Sequence, residues 1–345
     1  MLLPHLDRAG TTAPVPIDSA GITGPTPGQA RGPRWRAATP GGLHVPTGVD
    51  PTTLNQRIVE AVAAAPEGSA LTGWGAFAWQ SVPWFDGLAR DGSTPLPVPV
   101  SLGDRGTAVR RPGYVLCNDW LFTDDIVWVD GLPVTCAERA VSFIARRAPT
   151  TLAAVQAIDM AFAADVTDPE RLWNHLLRLA GRPGIRRARE ASVAARQNVW
   201  SPQETRMRLL WHGTGRGRLL CNAPVFDLDG QHLFTPDLFD PVAGIAGEYE
   251  GAVHLQLTTR RRDLRREEAY RAHGIELVTM MSPDITDQRS FLGRLATAYE
   301  RASARTGRRT WSLRQPPWWV DTSTVARRRA LNELERRVWL RRRAV

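Results

Sequence analysis

Three acidic residues on two predicted neighbouring strands constrain the fold of this chain more than any other feature. Asp237 lies in one predicted strand, and Glu248 and Glu250 end the next. Side chains two residues apart on a strand leave the same face of a sheet, so Glu248 and Glu250 share a face. If Asp237 joins them, the three carboxylates repel each other unless a divalent cation or a shared proton neutralises them. The stretch is therefore a candidate metal site.

Each acid also has a purely structural interpretation. Glu248 and Glu250 could form a solvated strand face, and Asp237 could be a turn acid after a proline. We favour a site because His254 follows the pair in register, where an imidazole suits proton transfer. Both interpretations stay open from the residues alone.

A fourth acid, Glu204, stands at the start of a predicted helix. Ser201 caps this helix, Pro202 takes its first position, and Glu204 falls where a capping-box acid belongs. Glu204 could therefore be only a helix cap, or it could also reach the other acids.

The charge of the chain favours a nucleic-acid partner. The 345 residues carry a net charge of +9, and because the chain contains no lysine, all 44 basic residues are arginine. Arginine offers a planar fork to phosphates and stacks on bases. A bias towards GC-rich codons would explain the replacement of lysine by arginine, but it leaves the excess positive charge unexplained.

Composition also narrows the location and class. No apolar run approaches the about 18–20 residues that span a bilayer, so no membrane partner is expected, and the first residues lack a signal-peptide pattern. Cys117, Cys136 and Cys221 are few, odd in number and without metal-ligand spacing. They indicate structural thiols in a reducing, cytoplasmic setting.

Four segments follow from the patterning of the chain. Residues 1–30 lack apolar periodicity and predict a flexible leader. The pattern of residues 31–195 predicts an α+β and helical module, including a helix within 69–84 that begins near Leu71-Thr72. The pattern of residues 196–305 predicts a mixed sheet flanked by helices, so the fold class is α/β. Residues 306–345 form a basic tail rich in tryptophan and arginine. The tail could be a DNA-binding arm or a helix packed on the body, and its arginine density favours the arm.

The segment 196–305 resembles a known endonuclease group. The residues that carry the resemblance are Ser201-Pro202-Gln203-Glu204-Thr205-Arg206, Pro236-Asp237, Glu248-Tyr249-Glu250-Gly251-Ala252-Val253-His254 and the arginine-rich helix closed by Gly274. They are similar to the C-terminal domain of actinobacterial proteins of unknown function, which is similar to very-short-patch-repair endonucleases of the PD-(D/E)xK superfamily. The resemblance implies a restriction-endonuclease-like mixed sheet flanked by helices.

The segment 31–195 resembles the N-terminal region of the same proteins, which is similar to AbiEi-type antitoxins. The phrase from Val129 to Thr135 and the segment from Gly181 to Arg189 carry this second resemblance. It implies a regulatory or DNA-positioning module, and a toxin or defence-system protein as a possible partner.

The endonuclease resemblance assigns roles to the acids. Asp237 and Glu250 would hold Mg²⁺ (or Mn²⁺), Glu248 would share their face, Glu204 would reach in from the first helix, and His254 would orient or deprotonate water. The chain departs from the pattern in having Glu250 where aspartate is usual, and in lacking lysine. Four arginines of the following helix would grip the phosphate backbone of DNA: Arg260, Arg262, Arg265 and Arg266.

Two functions from different classes follow. The first is a DNA-associated protein whose C-terminal domain is a Mg²⁺-dependent endodeoxyribonuclease. The alternative is a catalytically inactive antitoxin-like protein or transcriptional regulator, which binds DNA on a degenerate nuclease scaffold.

Overall fold

The computed structural model describes residues 1–89, 91–103, 110–251 and 266–343. The protein is a mixed α/β chain, as predicted, and it divides into two compact units. Unit 1 comprises Met1–Arg147 and Arg171–Ala188, and unit 2 comprises Ala148–Glu170 and Arg189–Val345. Both units are therefore assembled from separate stretches of sequence, whereas the sequence predicted continuous segments with boundaries near residues 30, 195 and 305.

The secondary structure alternates between helices and short strands. The helices are α1 (Pro27–Ala30), α2 (Leu54–Ala63), α3 (Gly73–Trp79), α4 (Ala137–Arg147), α5 (Thr151–Ala163), α6 (Pro169–Arg178), α7 (Ile185–Ala194), α8 (Pro202–His212), α9 (266–272), α10 (Gln288–Ser303), α11 (Val325–Arg329) and α12 (Glu333–Arg343). The strands are β1 (Trp35–Ala37), β2 (His44–Pro46), β3 (Ala70–Leu71), β4 (Val98–Ser101), β5 (Arg110–Arg111), β6 (Tyr114–Cys117), β7 (Ile126–Val129), β8 (Leu132–Thr135), β9 (Leu220–Cys221), β10 (Val225–Asp227), β11 (His232–Phe234), β12 (Leu238–Asp240), β13 (Ile245–Glu250), β14 (Glu276–Met281) and β15 (Trp311–Ser312). Short 3-10 helices cover Thr123–Asp125 and Ser282–Ile285. No helix among the residues so described is long and apolar enough to cross a membrane.

Unit 1 is built on a mixed six-stranded sheet with the order β5-β6-β4-β3-β8-β7. Strand β3 pairs antiparallel with β4 and parallel with β8. The helix predicted within 69–84 starts close to its predicted position near Leu71-Thr72, because Thr72 is the N-cap of α3, but it ends already at Trp79, and residues 70 and 71 join this sheet. Its residues Phe77 and Trp79 are fully buried.

A buried charge cluster lies in the same unit. Oδ2 of Asp119 forms ion pairs with guanidinium nitrogens of Arg139 at 3.2 Å, Arg146 at 3.2 Å and Arg147 at 2.8 Å. Burial opposes ionisation of Asp119, but the guanidinium groups lower its pKa to about 2. The carboxylate is thus held ionised to offset buried positive charge.

Residues 1–30 make specific contacts instead of forming a leader without structure. Val15 and His44 exchange backbone hydrogen bonds of 2.9 and 2.7 Å, and the Asp7 N–H donates to the Asp130 carbonyl at 3.1 Å. Leu3 is buried. Backbone pairing needs no side-chain periodicity, which is why the composition of this segment did not reveal it.

Unit 2 contains a four-stranded sheet with the order β14-β13-β12-β9. Strands β13 and β14 are parallel, and the remaining neighbours are antiparallel. A separate three-stranded sheet has the order β11-β10-β15, and β10 and β11 form a hairpin around Asp229-Gly230.

Two apolar clusters cover the two faces of the four-stranded sheet. Leu238 and Ile245 face the first cluster, with Trp211 of α8 and Phe291 of α10. The residues next in sequence, Phe239 and Ala246, face the second, which contains Tyr270 of α9 and Trp311. This alternation is the two-residue period of a strand with both faces buried.

The C-terminal segment packs against unit 2, where the sequence had favoured an electrostatic arm. Arg328 is 1% exposed and donates through Nε to Asp165 at 2.8 Å and through a terminal nitrogen to the Phe162 carbonyl at 2.7 Å. Trp339 of α12 is also buried. Arginine density alone could not distinguish an arm from this docked segment, because the acid that pairs with Arg328 lies far away in sequence.

Candidate functional site

Strand pairing brings Asp237 and Glu248 together. Strands β12 and β13 pair with Leu238 opposite Gly247. Asp237 immediately precedes β12 and Glu248 follows Gly247, so continuation of this register places the two acids opposite each other. The Tyr249 N–H donates to Oδ2 of Asp237 at 2.8 Å. This bond fixes the Asp237 carboxyl beside β13.

Steric crowding by the core requires glycine at position 247, next to Glu248. A Cβ atom on Gly247 would lie 2.6 Å from the indole ring of Trp211. Because contacts below about 3 Å are repulsive, only glycine lets β13 approach α8 so closely. The position of Glu248 along the strand is thereby tied to the packing of the core.

Helix α9 holds Glu248. The Tyr270 hydroxyl donates to Oε1 of Glu248 at 2.6 Å, and a terminal nitrogen of Arg266 lies 2.6 Å from the same oxygen. Glu248 is 7% exposed. Arg266, predicted to contact DNA phosphate, therefore pairs with a site acid in this structure.

Ser201 caps α8 as predicted, and the side chain of Glu204 reaches Asn222, which follows β9. Its backbone N–H donates to the Ser201 hydroxyl at 3.2 Å. Its Oε2 accepts from the Trp200 N–H at 2.9 Å and from Nδ2 of Asn222 at 2.7 Å. The Glu204 carboxyl is 5% exposed, and it accepts from the Trp200 N–H, one residue before the N–H that a capping-box acid accepts from.

Electrostatics link the acids. Burial, and secondarily the charge of Glu204, raise the pKa of Asp237 to about 7. Burial raises the pKa of Glu248 to about 7 although Arg266 and Tyr270 oppose the shift, and the charges of Asp237 and Glu250 add to it. Burial also raises the pKa of Glu204. These acids are close enough to disfavour each other's ionisation.

The acids do not form a closed ligand cage. Within 1–89, 91–103, 110–251 and 266–343, no group of three or more His, Cys, Asp or Glu side chains is arranged to hold a metal ion. Glu250, predicted as a ligand, is an exposed residue at the end of β13. The donor chemistry nevertheless suits Mg²⁺, which usually takes one or two carboxylates and completes its shell with water and substrate phosphate.

Several predicted residues lie outside the described part of the chain. These are His254, Arg260, Arg262 and Arg265. Their assigned roles stay predictions.

Sequence reasoning missed Tyr270 and Asn222. Tyr270 sits among arginines and glutamates, and nothing in that pattern marks a tyrosine that will reach a strand acid. Asn222 follows β9 and has a φ of +46°, a left-handed conformation that asparagine tolerates better than most residues. An asparagine before Ala223-Pro224 was the available signal, and it indicated only a turn.

Comparisons with protein-family models, with curated proteins and with solved structures found no match to this chain. The function is therefore argued from the geometry of the site.

Proposed function

We propose that unit 2 is a restriction-endonuclease-like domain that hydrolyses a phosphodiester bond of DNA with the help of Mg²⁺ or Mn²⁺. The observation that carries the proposal is the pairing of Asp237 with Glu248 across β12 and β13, with the pKa of both acids raised to about 7. Buried acids with strongly shifted pKa values are typical of functional sites.

The surrounding architecture supports the proposal. A mixed sheet carries both acids, α8 and α10 cover one face, and α9 brings Arg266 to Glu248 on the other. The net charge of +9 favours a polyanionic partner. The oxygen donors at the site match a hard cation better than a thiolate-binding metal.

The side chains have distinct tasks in this proposal. Asp237 uses Oδ2 to accept the Tyr249 N–H, so Oδ1 is the oxygen that would face a ligand. Glu248 receives Tyr270 and Arg266 on Oε1, which leaves Oε2 for the site. Arg266 would shift from Glu248 towards the phosphate as the substrate binds.

Asp237 and Glu248, with Glu250 at the strand end, are the residues that would hold the cation. When bound, a divalent cation supplies charge stabilisation at the phosphate oxygens. It would also favour the ionised carboxylates, which removes the repulsion that raises their pKa values.

A nicking assay on supercoiled plasmid with Mg²⁺ or Mn²⁺ tests the proposal. We expect the wild-type protein to nick the plasmid, and Asp237→Asn and Glu248→Gln to lose at least about a hundredfold in rate, as typical for removal of an electrostatic or acid–base group. Asp229→Asn, in the β10–β11 turn, is the matched control and should keep the wild-type rate. A wild-type protein that binds DNA but never nicks it contradicts the proposal.

One observation favours a second candidate, a regulator that binds DNA without cleaving it. The Arg266–Glu248 ion pair neutralises a site acid within the chain itself. Calorimetric titration with Mn²⁺ separates the two functions. Heat of binding that disappears in Asp237→Asn supports the nuclease, and absence of binding in both proteins supports the regulator.

A further inference from the structure

A cavity of about 1150 Å³ lies in unit 2 beside the candidate site. Three of its lining residues contact the site acids directly. Arg266 pairs with Glu248 at 2.6 Å. The Nδ2 of Asn222 and the backbone N–H of Trp200 donate to Glu204 at 2.7 and 2.9 Å. A ligand in this cavity would therefore touch the same side chains that hold the acids. Its volume is slightly larger than the about 300–1,000 Å³ typical of ligand pockets.

Aromatic side chains form part of the cavity wall. Trp200, Trp319 and His232 line it. The ring of Trp319 is stacked on that of His232, with centroids 4.9 Å apart and an interplanar angle of 28°. Flat rings at a cavity surface are suited to stack on a further planar group.

The cavity lining is strongly basic. Arg196, Arg218 and Arg266 contribute positive charge, and Asp321 is the acid that opposes them. Asp321 is itself paired with Arg327. Within the described residues, Arg218 has no ion-pair partner and is exposed. A ligand that fits this lining combines negative charge with a planar ring.

We propose that the cavity binds an unpaired nucleotide of a DNA strand, with its base against the tryptophans and its phosphates on the arginines. A base inside a duplex has both faces covered by its neighbours and cannot stack on a side chain unless it is extruded. The substrate class is therefore a single strand or a locally opened duplex. This inference specifies the substrate of the proposed nuclease. Cleavage of the bound strand rests on the proposed function, whereas binding of the strand is independent of it.

The C-terminal segment completes the cavity. Trp319, Thr322 and Trp339 are lining residues, and all three lie beyond residue 305. The segment predicted to be a separate arm is thus a wall of the site. Nucleotide binding is a property of the full chain rather than of the 196–305 segment alone.

Fluorescence anisotropy tests the proposal without metal, so that cleavage plays no part. The probes are a fluorescein-labelled oligothymidylate of about 12 nucleotides and the same strand paired with oligoadenylate. We expect the single strand to bind at least about tenfold more tightly than the duplex, because each stacked base contributes about 1–3 kcal/mol, which corresponds to a factor of about 5–150. Equal or tighter binding of the duplex overturns the proposal.

Adjacent residues provide matched controls. Trp319→Ala should weaken single-strand binding about fivefold or more. Trp318→Ala, which removes an exposed neighbour that does not line the cavity, should leave it unchanged. If Trp319→Ala does not fold, the exposed residue Arg218 provides a second test. Arg218→Ala should reduce the slope of the logarithm of the binding constant against the logarithm of the salt concentration by about one. Equal affinities of the folded Trp319 and Trp318 variants, or of Arg218→Ala and the wild type, contradict the assignment.

Two further arms separate the alternatives. Thymidine monophosphate should displace the labelled strand only at concentrations far above those of unlabelled oligothymidylate. If the two competitors are equally potent per nucleotide, the ligand is a free nucleotide and not a strand. Asp237→Asn should bind the single strand at least as well as the wild type. Retained binding with no nicking by the wild type would leave this inference standing and remove the nuclease proposal.

Discussion

Tyr270 donates a 2.6 Å hydrogen bond to Glu248 and thereby joins α9 to the end of β13. Both residues are buried, and the ring of Tyr270 packs against Phe234 with centroids 4.0 Å apart. The same aromatic side chain therefore closes the core and sets the orientation of a site carboxyl. Core packing and site geometry are coupled through this residue.

Tyr270→Phe should uncouple core packing from site geometry, because it removes the hydroxyl that binds Glu248 and keeps the ring that packs in the core. We expect the free energy of unfolding to fall by about 1–3 kcal/mol, typical of a lost hydrogen bond to a charged or buried group. Tyr249→Phe is the matched control, since its hydroxyl makes only a 3.3 Å contact with Ser282. Urea denaturation measures both, and equal losses would show that the Tyr270 hydroxyl has no special role.

Stability should fall as pH rises from about 4 to about 7 because of Asp237 and Glu248. Their pKa values rise from 3.8 and 4.5 to about 7, so the folded state holds protons that the unfolded state has already released. The favourable contribution is complete below pH 4 and is lost as the pH passes 7. Asp237→Asn cannot ionise and should show a flatter pH dependence in thermal denaturation. An unchanged slope in the variant contradicts the assignment.

Asp119 predicts the opposite pH dependence in unit 1. Its pKa is lowered from 3.8 to about 2, so its stabilising contribution is present above pH 4 and is lost as the pH falls towards 2. Asp119→Asn should destabilise the protein by about 3–5 kcal/mol at pH 7, because it leaves buried guanidinium groups uncompensated. Asp124→Asn, at an exposed position, serves as the control. Denaturation curves at pH 7 and pH 3 check both statements, and a variant as stable as the wild type at pH 7 would refute the first.

The docked C-terminal segment can be tested with neighbouring arginines. Arg328→Ala removes a buried partner of Asp165 and should lower the free energy of unfolding by about 3–5 kcal/mol. Arg327→Ala removes an exposed ion pair and should change it by less than about 1 kcal/mol. Limited proteolysis between α11 and α12 should become faster only in the Arg328 variant. Similar behaviour of the two variants would mean that the segment is not held by this contact.

Local sequence signals were sufficient where local contacts decide the structure. Ser201 and Pro202 predicted the start of α8, and the Ser201 hydroxyl accepts from the N–H of Glu204 as a cap. Gly274 was predicted to close a helix, and its φ of +69° confirms the left-handed conformation that favours glycine there. Glu250 was predicted to end a strand, and β13 ends at this residue.

Distant contacts could not be derived in the same way. The pairing of Asp237 with Glu248 follows from strand register and was anticipated as a shared face. Two other contacts, the ion pair of Arg266 with Glu248 and the hydrogen bond from Asn222 to Glu204, depend on how α9 and β9 pack. No local sequence pattern encodes this packing. The hydrogen bonds of residues 1–30 are invisible to side-chain periodicity for the same reason.

The Arg328–Asp165 contact joins residues 163 positions apart. At about 5–20 residues per second, a ribosome needs on the order of ten seconds to travel between them. Throughout that interval the aspartate stays hydrated and the wall formed by Trp319 and Trp339 does not exist. The strands that carry Asp237 and Glu248 are therefore synthesised before Trp319 and Trp339, so they can pair before the cavity can enclose a nucleotide.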